Sequence, residues 1–169
     1  MSLLRPGTDA DAATVAALWH AGWHDAHAGH VPAGLTASRD AAEFAGRALR
    51  RVADTTVLEV DGAVAGFVMV VGDEVEQVYL DAAHRGSGLA DLLLEGAERQ
   101  VRAAGHGEAW LAVVEGNARA RAFYEKRGWR DTGALPYEVV SGGATHVSPC
   151  RRYVKAVGPP TSGSQGSAS

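Results

Sequence analysis

The chain has 169 residues, 46% hydrophobic and 21% charged, and its 16 basic and 20 acidic side chains leave a formal charge of −4. That is the length of one domain with apolar content for a core, which excludes an intrinsically disordered chain. The single cysteine, Cys150, excludes an internal disulfide or a cysteine-built zinc site, and the mild acidity excludes the basic face that nucleic-acid binding needs.

Ser2 to Pro6 reads as a short strand ended by its proline. No signal-peptide apolar stretch opens the chain, and no run approaches the ~20 apolar residues of a membrane helix, so a cytoplasmic protein with no membrane partner is expected. Asp9 or Asp11 offers an N-cap for a helix through about Trp23, with Val15, Leu18 and Trp19 on one stripe. His20, His24 and His27 fall at i, i+4 and i+7, one helical face. That face could ligate zinc with Asp25 orienting a ligand, wall a pocket, or simply pack. No metal is expected, because Gly22 in mid-pattern weakens the register of the face. Gly29 and Pro32 break the chain, and Leu35 to Arg51 reads as a second helix with Phe44, Ala48 and Leu49 as its apolar stripe.

A meander follows. Thr55–Val60 and Ala63–Val71 flank Asp61-Gly62, a type I′ hairpin signal, and Gly72-Asp73 turns into a strand over Val75–Leu80. Period-two alternation places Glu76 on one face with Val78 and Leu80. Leu89 to Ala104 then recurs at helical spacing and stops at Gly105. The apolar run Ala109–Val114 suits a strand buried on both faces. Asn117 caps a helix that ends at Gly128, and Trp129–Thr132 and Cys150–Lys155 read as closing strands around a loop, Pro136 to Pro149. Residues 158–169 lack apolar content and are expected to be a disordered tail after a domain of residues 1–157. The order β-α-α-β-β-β-α-β-α-β-β predicts an α/β (α+β) fold, a mixed sheet of about six to seven strands with helices on both faces.

Two segments carry chemistry. Arg85-Gly86-Ser87-Gly88-Leu89-Ala90 joins a strand to a helix, where unpaired N–H groups and the positive dipole end favour an anion. Glycine lets a phosphate approach the backbone, and Arg85 adds a fixed charge. A Walker A loop would need lysine, and a dinucleotide fingerprint would need glycine where Asp91 stands. The second segment puts Asn117 and Tyr124 seven residues apart, two helical turns on nearly one face.

Together these segments closely resemble the GNAT (GCN5-related N-acetyltransferase) superfamily. Its Arg/Gln-x-x-Gly-x-Gly/Ala turn is matched by Arg85 to Ala90. Its Asn-x-x-Ala-x-x-Phe-Tyr-x-x-x-Gly-Phe/Trp element is matched by Asn117, Ala120, Phe123, Tyr124, Gly128 and Trp129. The resemblance runs from about Leu3 to Val157 and implies a sheet splayed between its fourth and fifth strands.

It further implies acetyl-CoA as co-substrate. The N–H groups of Arg85, Gly86, Ser87, Gly88, Leu89 and Ala90 would hold its pyrophosphate, and the backbone of Val78, Tyr79 and Leu80 its pantetheine arm. Asn117 would bond that arm, Tyr124 would protonate the leaving thiolate, and Glu76, with Glu74 second, would take the amine proton. Trp19, Trp23, His24 and His27 are the expected contacts to the acceptor, a primary amine of a small molecule or peptide. A homodimer is compatible with the resemblance. The competing readings are a non-catalytic acyl-CoA-binding module on the same fold and a histidine metalloenzyme.

Overall fold

The structure, a computed structural model, describes residues 1–159. The strands are β1 (Ser2–Pro6), β2 (Thr55–Val60), β3 (Ala63–Val71), β4 (Glu74–Leu80), β5 (Glu108–Val114), β6 (Arg130–Ser141) and β7 (Ala144–Ala156). The helices are α1 (Ala12–His27), α2 (Ala33–Ser38), α3 (Ala41–Arg50), α4 (Leu89–Ala103) and α5 (Ala118–Lys126). The seven strands form one sheet in the order β1-β2-β3-β4-β5-β7-β6, with β4 and β5 parallel and every other neighbour antiparallel. This is the mixed sheet that the element order predicts.

Alternation along β2 shows how the two layers arise. Val57 joins Trp19, Phe44 and Phe67 under α1 and α3, while Leu58 joins Leu93, Val101 and Tyr153 on the α4 side. Each fully buried aliphatic or phenyl side chain contributes roughly 1.5–3 kcal/mol. The β2–β3 turn is as the dipeptide predicts, with positive φ at both Asp61 (50°) and Gly62 (85°).

Four details differ from the sequence reading. The single helix expected over Leu35–Arg51 is two, α2 and α3, because Asp40 takes an extended backbone and its side chain caps α3 at the Glu43 N–H, 2.9 Å away. Leu49 then lies one residue round from the buried Phe44 and Ala48 stripe and is 56% exposed. Gly22 does not interrupt α1. It lets the helix approach the Tyr79 ring so closely that a Cβ would sit 2.4 Å from Cδ1.

The loop expected at Pro136–Pro149 is instead the outer half of a long hairpin, paired down to Ser141 and Ala144 and turned by Gly142-Gly143. Pro136 faces Pro149, a pairing tolerated where opposed residues exchange no hydrogen bond. Finally, β5 is not buried on both faces: Trp110 and Ala112 are only half-buried. The expected tail lies, from residue 160 on, outside the described residues.

Candidate active site

β4 and β5 share one ladder pair, Glu74 opposite Trp110. From Val75 onward the strands diverge, leaving the β4 backbone without a ladder partner on that side among the described residues. The gap is a cleft of about 190 Å³, reached by Val78 and Tyr79 from β4, Leu111 and Val113 from β5, and Asn117 and Tyr124 from α5. The sheet is therefore splayed between its fourth and fifth strands. A strand-like ligand could pair with the free β4 edge.

The helix α5 brings its two site residues to one wall. Asn117 Oδ1 accepts from the Ala120 N–H at 3.1 Å, which caps the helix and leaves the side-chain NH₂ free to donate. Two turns on, Tyr124 packs edge-on to Phe123 and Trp129, with centroids 5.2 and 6.0 Å away. Burial pushes its hydroxyl well above the usual tyrosine range, so it keeps its proton at neutral pH.

Beyond the end of β4, Gly86 (φ +77°) and Gly88 (φ +80°) hold left-handed backbone, and Gly88 is the N-cap of α4. Among the described residues a Cβ on either would touch nothing within 4 Å, so the glycines serve the conformation and not the packing. Ser87 Oγ donates to the His84 carbonyl. The turn itself lies outside the cleft wall that carries Tyr124. Arg85 donates to Asp25 Oδ2 at 2.6 Å, and Arg119 reaches the same oxygen at 3.3 Å. The Arg85 bond holds the Asp25 carboxyl below the usual carboxylate range. Asp25 is thus committed to arginines and orients no histidine.

The two β4 carboxylates sit in unlike surroundings. Met69 pairs with Gln77 but Val70 pairs with Val75, so Glu76 is the extra residue of a β-bulge. The bulge interrupts the alternation expected from sequence: Val78 and Leu80 pack on the α4-side core, whereas Glu76 turns to the end of α3. There Arg51 donates to both its oxygens, at 2.6 and 2.9 Å. Glu74 instead accepts from the Tyr137 hydroxyl at 2.9 Å, and burial raises its carboxyl above the ordinary range.

Of the four aromatic residues expected at the acceptor, two line the cleft. The Trp23 and His27 rings stack there, 4.6 Å apart and 6° from parallel, and burial pulls His27 down to about 4. Trp19 is 0% exposed, held in the core by Phe44 and Phe67 at 5.4 and 5.9 Å. His24 lies behind the cleft wall, its Nε2 2.5 Å from the Arg39 carbonyl at the end of α2. Among the described residues no group of three His, Cys, Asp or Glu is placed to hold a metal. No described helix is long and apolar enough to cross a membrane.

Of the cleft residues other than the aliphatic ones, Arg39, Arg47, Gln77, Tyr137, Ser148 and Cys150 were given no role from sequence. The arginines look like a solvated helix face in sequence, and Tyr137 falls in the stretch read as loop. The alternation of Tyr137, Val139 and Ser141 before Gly142-Gly143 was the available signal of a strand.

The splayed sheet, the glycine turn and the α5 wall define an acetyltransferase fold. Residues 18–129 match the model of the Acetyltransferase (GNAT) family, and the chain belongs to that family. Over 91 residues it is 31% identical to uncharacterized N-acetyltransferases of Mycobacterium tuberculosis and Mycobacterium bovis. That stretch is 51% of this chain and 56% of theirs, so the match spans little more than half the length of these curated relatives.

Among solved structures, a GCN5-related N-acetyltransferase from Rhodopseudomonas palustris superposes with TM-score 0.72 at 22% identity, over 92% of this chain and 96% of that one. The PaiA N-acetyltransferase from Thermoplasma acidophilum, in complex with coenzyme A, gives 0.72 at 17%, over 92% and 99%. YncA from Salmonella typhimurium, with its cofactor acetyl-CoA, gives 0.67 at 19%, over 98% and 99%. These likenesses establish the fold.

Proposed function

We propose that the chain transfers an acetyl group from acetyl-CoA to a primary amine by direct attack. The observation that carries this reading is the opening of β4 from β5 beside Asn117 and Tyr124. A free strand edge suits the amides of a pantetheine arm, and the two left-handed glycines leave room for a pyrophosphate on the α4 N-terminus. In this reading Val78, Tyr79 and Leu80 offer backbone to the arm, Asn117 offers its free NH₂, and Arg85 to Ala90 hold the phosphates. The complexes of PaiA with coenzyme A and of YncA with acetyl-CoA support it.

The chemistry asks three things of the protein. A protonated amine has no lone pair, so a base must take its proton. Glu76, which is among the residues lining the cleft, is one candidate, but Arg51 occupies both its oxygens. Glu74 fits the role better, because burial has already raised its proton affinity. Charge developing on the acyl oxygen needs a donor, and an unpaired β4 N–H near Val78 can supply one. The departing thiolate needs a proton, which Tyr124 retains at neutral pH.

The test is direct. Acetyl-CoA at ~100 times its Kd should stabilise the fold by about 2.7 kcal/mol, read as a rise in melting temperature. Release of free thiol should then depend on added amine. No stabilisation by saturating acetyl-CoA would contradict the reading.

A further inference from the structure

The charges on the acceptor side of the cleft do not all cancel. Arg39 Nη1 bonds Glu43 Oε1 at 3.1 Å. Arg51 is taken up by Glu76 and by Asp54, at 2.6 and 3.1 Å. Arg47 forms no ion pair among the described residues. Its guanidinium lies over the Trp19 ring, 4.3 Å from the centroid, and it lines the cleft together with Arg39. Arg39 is 4% exposed, and its buried Nε has no hydrogen-bond partner among the described residues. The Arg39 Nε is closed off from solvent, so the unused guanidinium donors lining the cleft are those of Arg47.

The same cleft also holds unused anionic capacity. Glu74 lines the same cleft, and its one side-chain hydrogen bond is accepted from Tyr137, a neutral donor. His27, which also lines the cleft, is held neutral by burial and adds no second positive charge beside Arg47. A guanidinium withdrawn from water without a counter-ion is costly, and its planar fork matches a carboxylate through two parallel hydrogen bonds. A carboxylate hydrogen-bonded only by a phenol is matched in turn by an ammonium. An unpaired guanidinium and a carboxylate bonded only by a phenol, lining one cleft, are the complement of a zwitterion.

We propose that the acceptor is a small amino carboxylate of the amino-acid class, its carboxylate seated on the guanidinium of Arg47, its amine turned to Glu74. The assignment rests on reading this cleft as the acceptor site of an acetyltransferase. It narrows that site to one substrate chemistry. Amines without a carboxylate leave Arg47 unpaired, and polycationic ones add further positive charge to the cleft, so they are poor ligands.

The experiment compares a panel of free amino acids with their carboxamides, which differ only in the anionic group. Free-thiol release from acetyl-CoA is one readout, and ligand-induced thermal shift without acetyl-CoA is the other. At least one free acid should surpass its carboxamide by tenfold or more in kcat/KM and alone give a shift. Arg47→Gln should raise the KM of that acid on the order of 100-fold and erase its advantage over the amide, leaving the KM for acetyl-CoA in place. Arg47→Lys, which keeps charge but not the fork, should fall between.

Equal turnover of acids and amides by the unaltered protein overturns the proposal, and so does the absence of a carboxylate-dependent shift across the panel. Neither result requires the variants to fold. If neutral amines are acetylated while amino acids are not, the proposal fails and the acetyltransferase reading stands. If acetyl-CoA itself does not bind, that reading fails, and the shift by free acids, lost in Arg47→Gln, decides the carboxylate site alone.

Discussion

Arg51 holds Glu76 by both carboxylate oxygens, through Nη1 at 2.6 Å and Nη2 at 2.9 Å. The pair exists because the β4 bulge turns Glu76 toward the end of α3. It ties the helix layer to the strand that forms the cleft, and it separates the roles of the two β4 carboxylates. Glu74→Gln is expected to lower kcat/KM by roughly 10²–10⁴-fold, the usual range for losing a general base, and to abolish the acid limb of the pH profile. Glu76→Gln and Arg51→Gln should cost less, resemble each other, and add little when combined, since either one breaks the same pair. A pH–rate profile of the unaltered protein, the three single variants and the double variant checks this; a base-type loss in Glu76→Gln alone would transfer the role to Glu76.

Tyr124→Phe removes the proton donor and keeps the ring among Phe123 and Trp129. The melting-temperature shift with acetyl-CoA should persist, and kcat should fall on the order of 10²-fold or more. Thiol release at the unaltered rate would remove Tyr124 from the chemistry.

Gly88→Ala places a side chain at φ +80°, where L-residues carry a conformational penalty of roughly 1–2 kcal/mol. No neighbour would meet the added methyl. The variant should melt a few degrees lower and bind acetyl-CoA more weakly, with kcat at saturation little changed. Titration calorimetry with coenzyme A separates the two effects.

Gly22→Ala pushes a methyl into the Tyr79 ring, 2.4 Å from Cδ1. Ala favours helix by about 1 kcal/mol over Gly, yet overpacking of this kind costs typically 1–3 kcal/mol. A net loss of stability is expected, together with a raised KM, because Tyr79 lines the cleft. Denaturant unfolding supplies the sign; a gain would show that α1 can shift away from β4.

His27 carries the clearest pH signature. Burial against Trp23 lowers it from 6.5 to about 4. The unfolded chain therefore binds a proton that the folded chain refuses, and this contribution is complete above pH 6.5 and is lost as the pH falls toward 4. Melting temperature should drop across that window. His27→Gln should flatten the drop without changing behaviour near pH 8, and an unaltered slope would assign the acid lability elsewhere.

The fold class was legible in the sequence because local signals agreed with one another. Asp61-Gly62 demands a tight hairpin, Asn117 caps a helix, and Gly88 opens one, all within a few residues of chain. The same locality made Gly86, Gly88, Asn117 and Tyr124 readable as a set. Alternation failed at Glu76, since a bulge is a property of the β3–β4 register and not of either strand alone. It failed again at Pro136–Pro149, where cross-strand pairing overrides two prolines that look like loop punctuation.

What the sequence determined by itself is therefore the order of elements, the family and the residues whose roles depend on their own backbone. Tertiary structure decided the rest. Only packing of α3 on α1 could leave Arg47 in the cleft without an ion-pair partner, put Trp19 beneath it, and bring Tyr137 across from β6 to Glu74. The reason is physical: a capping or turn residue acts on its nearest neighbours, whereas the charge balance of a cleft sums over segments distant in the chain. Burial then sets the weight of each charge in that sum.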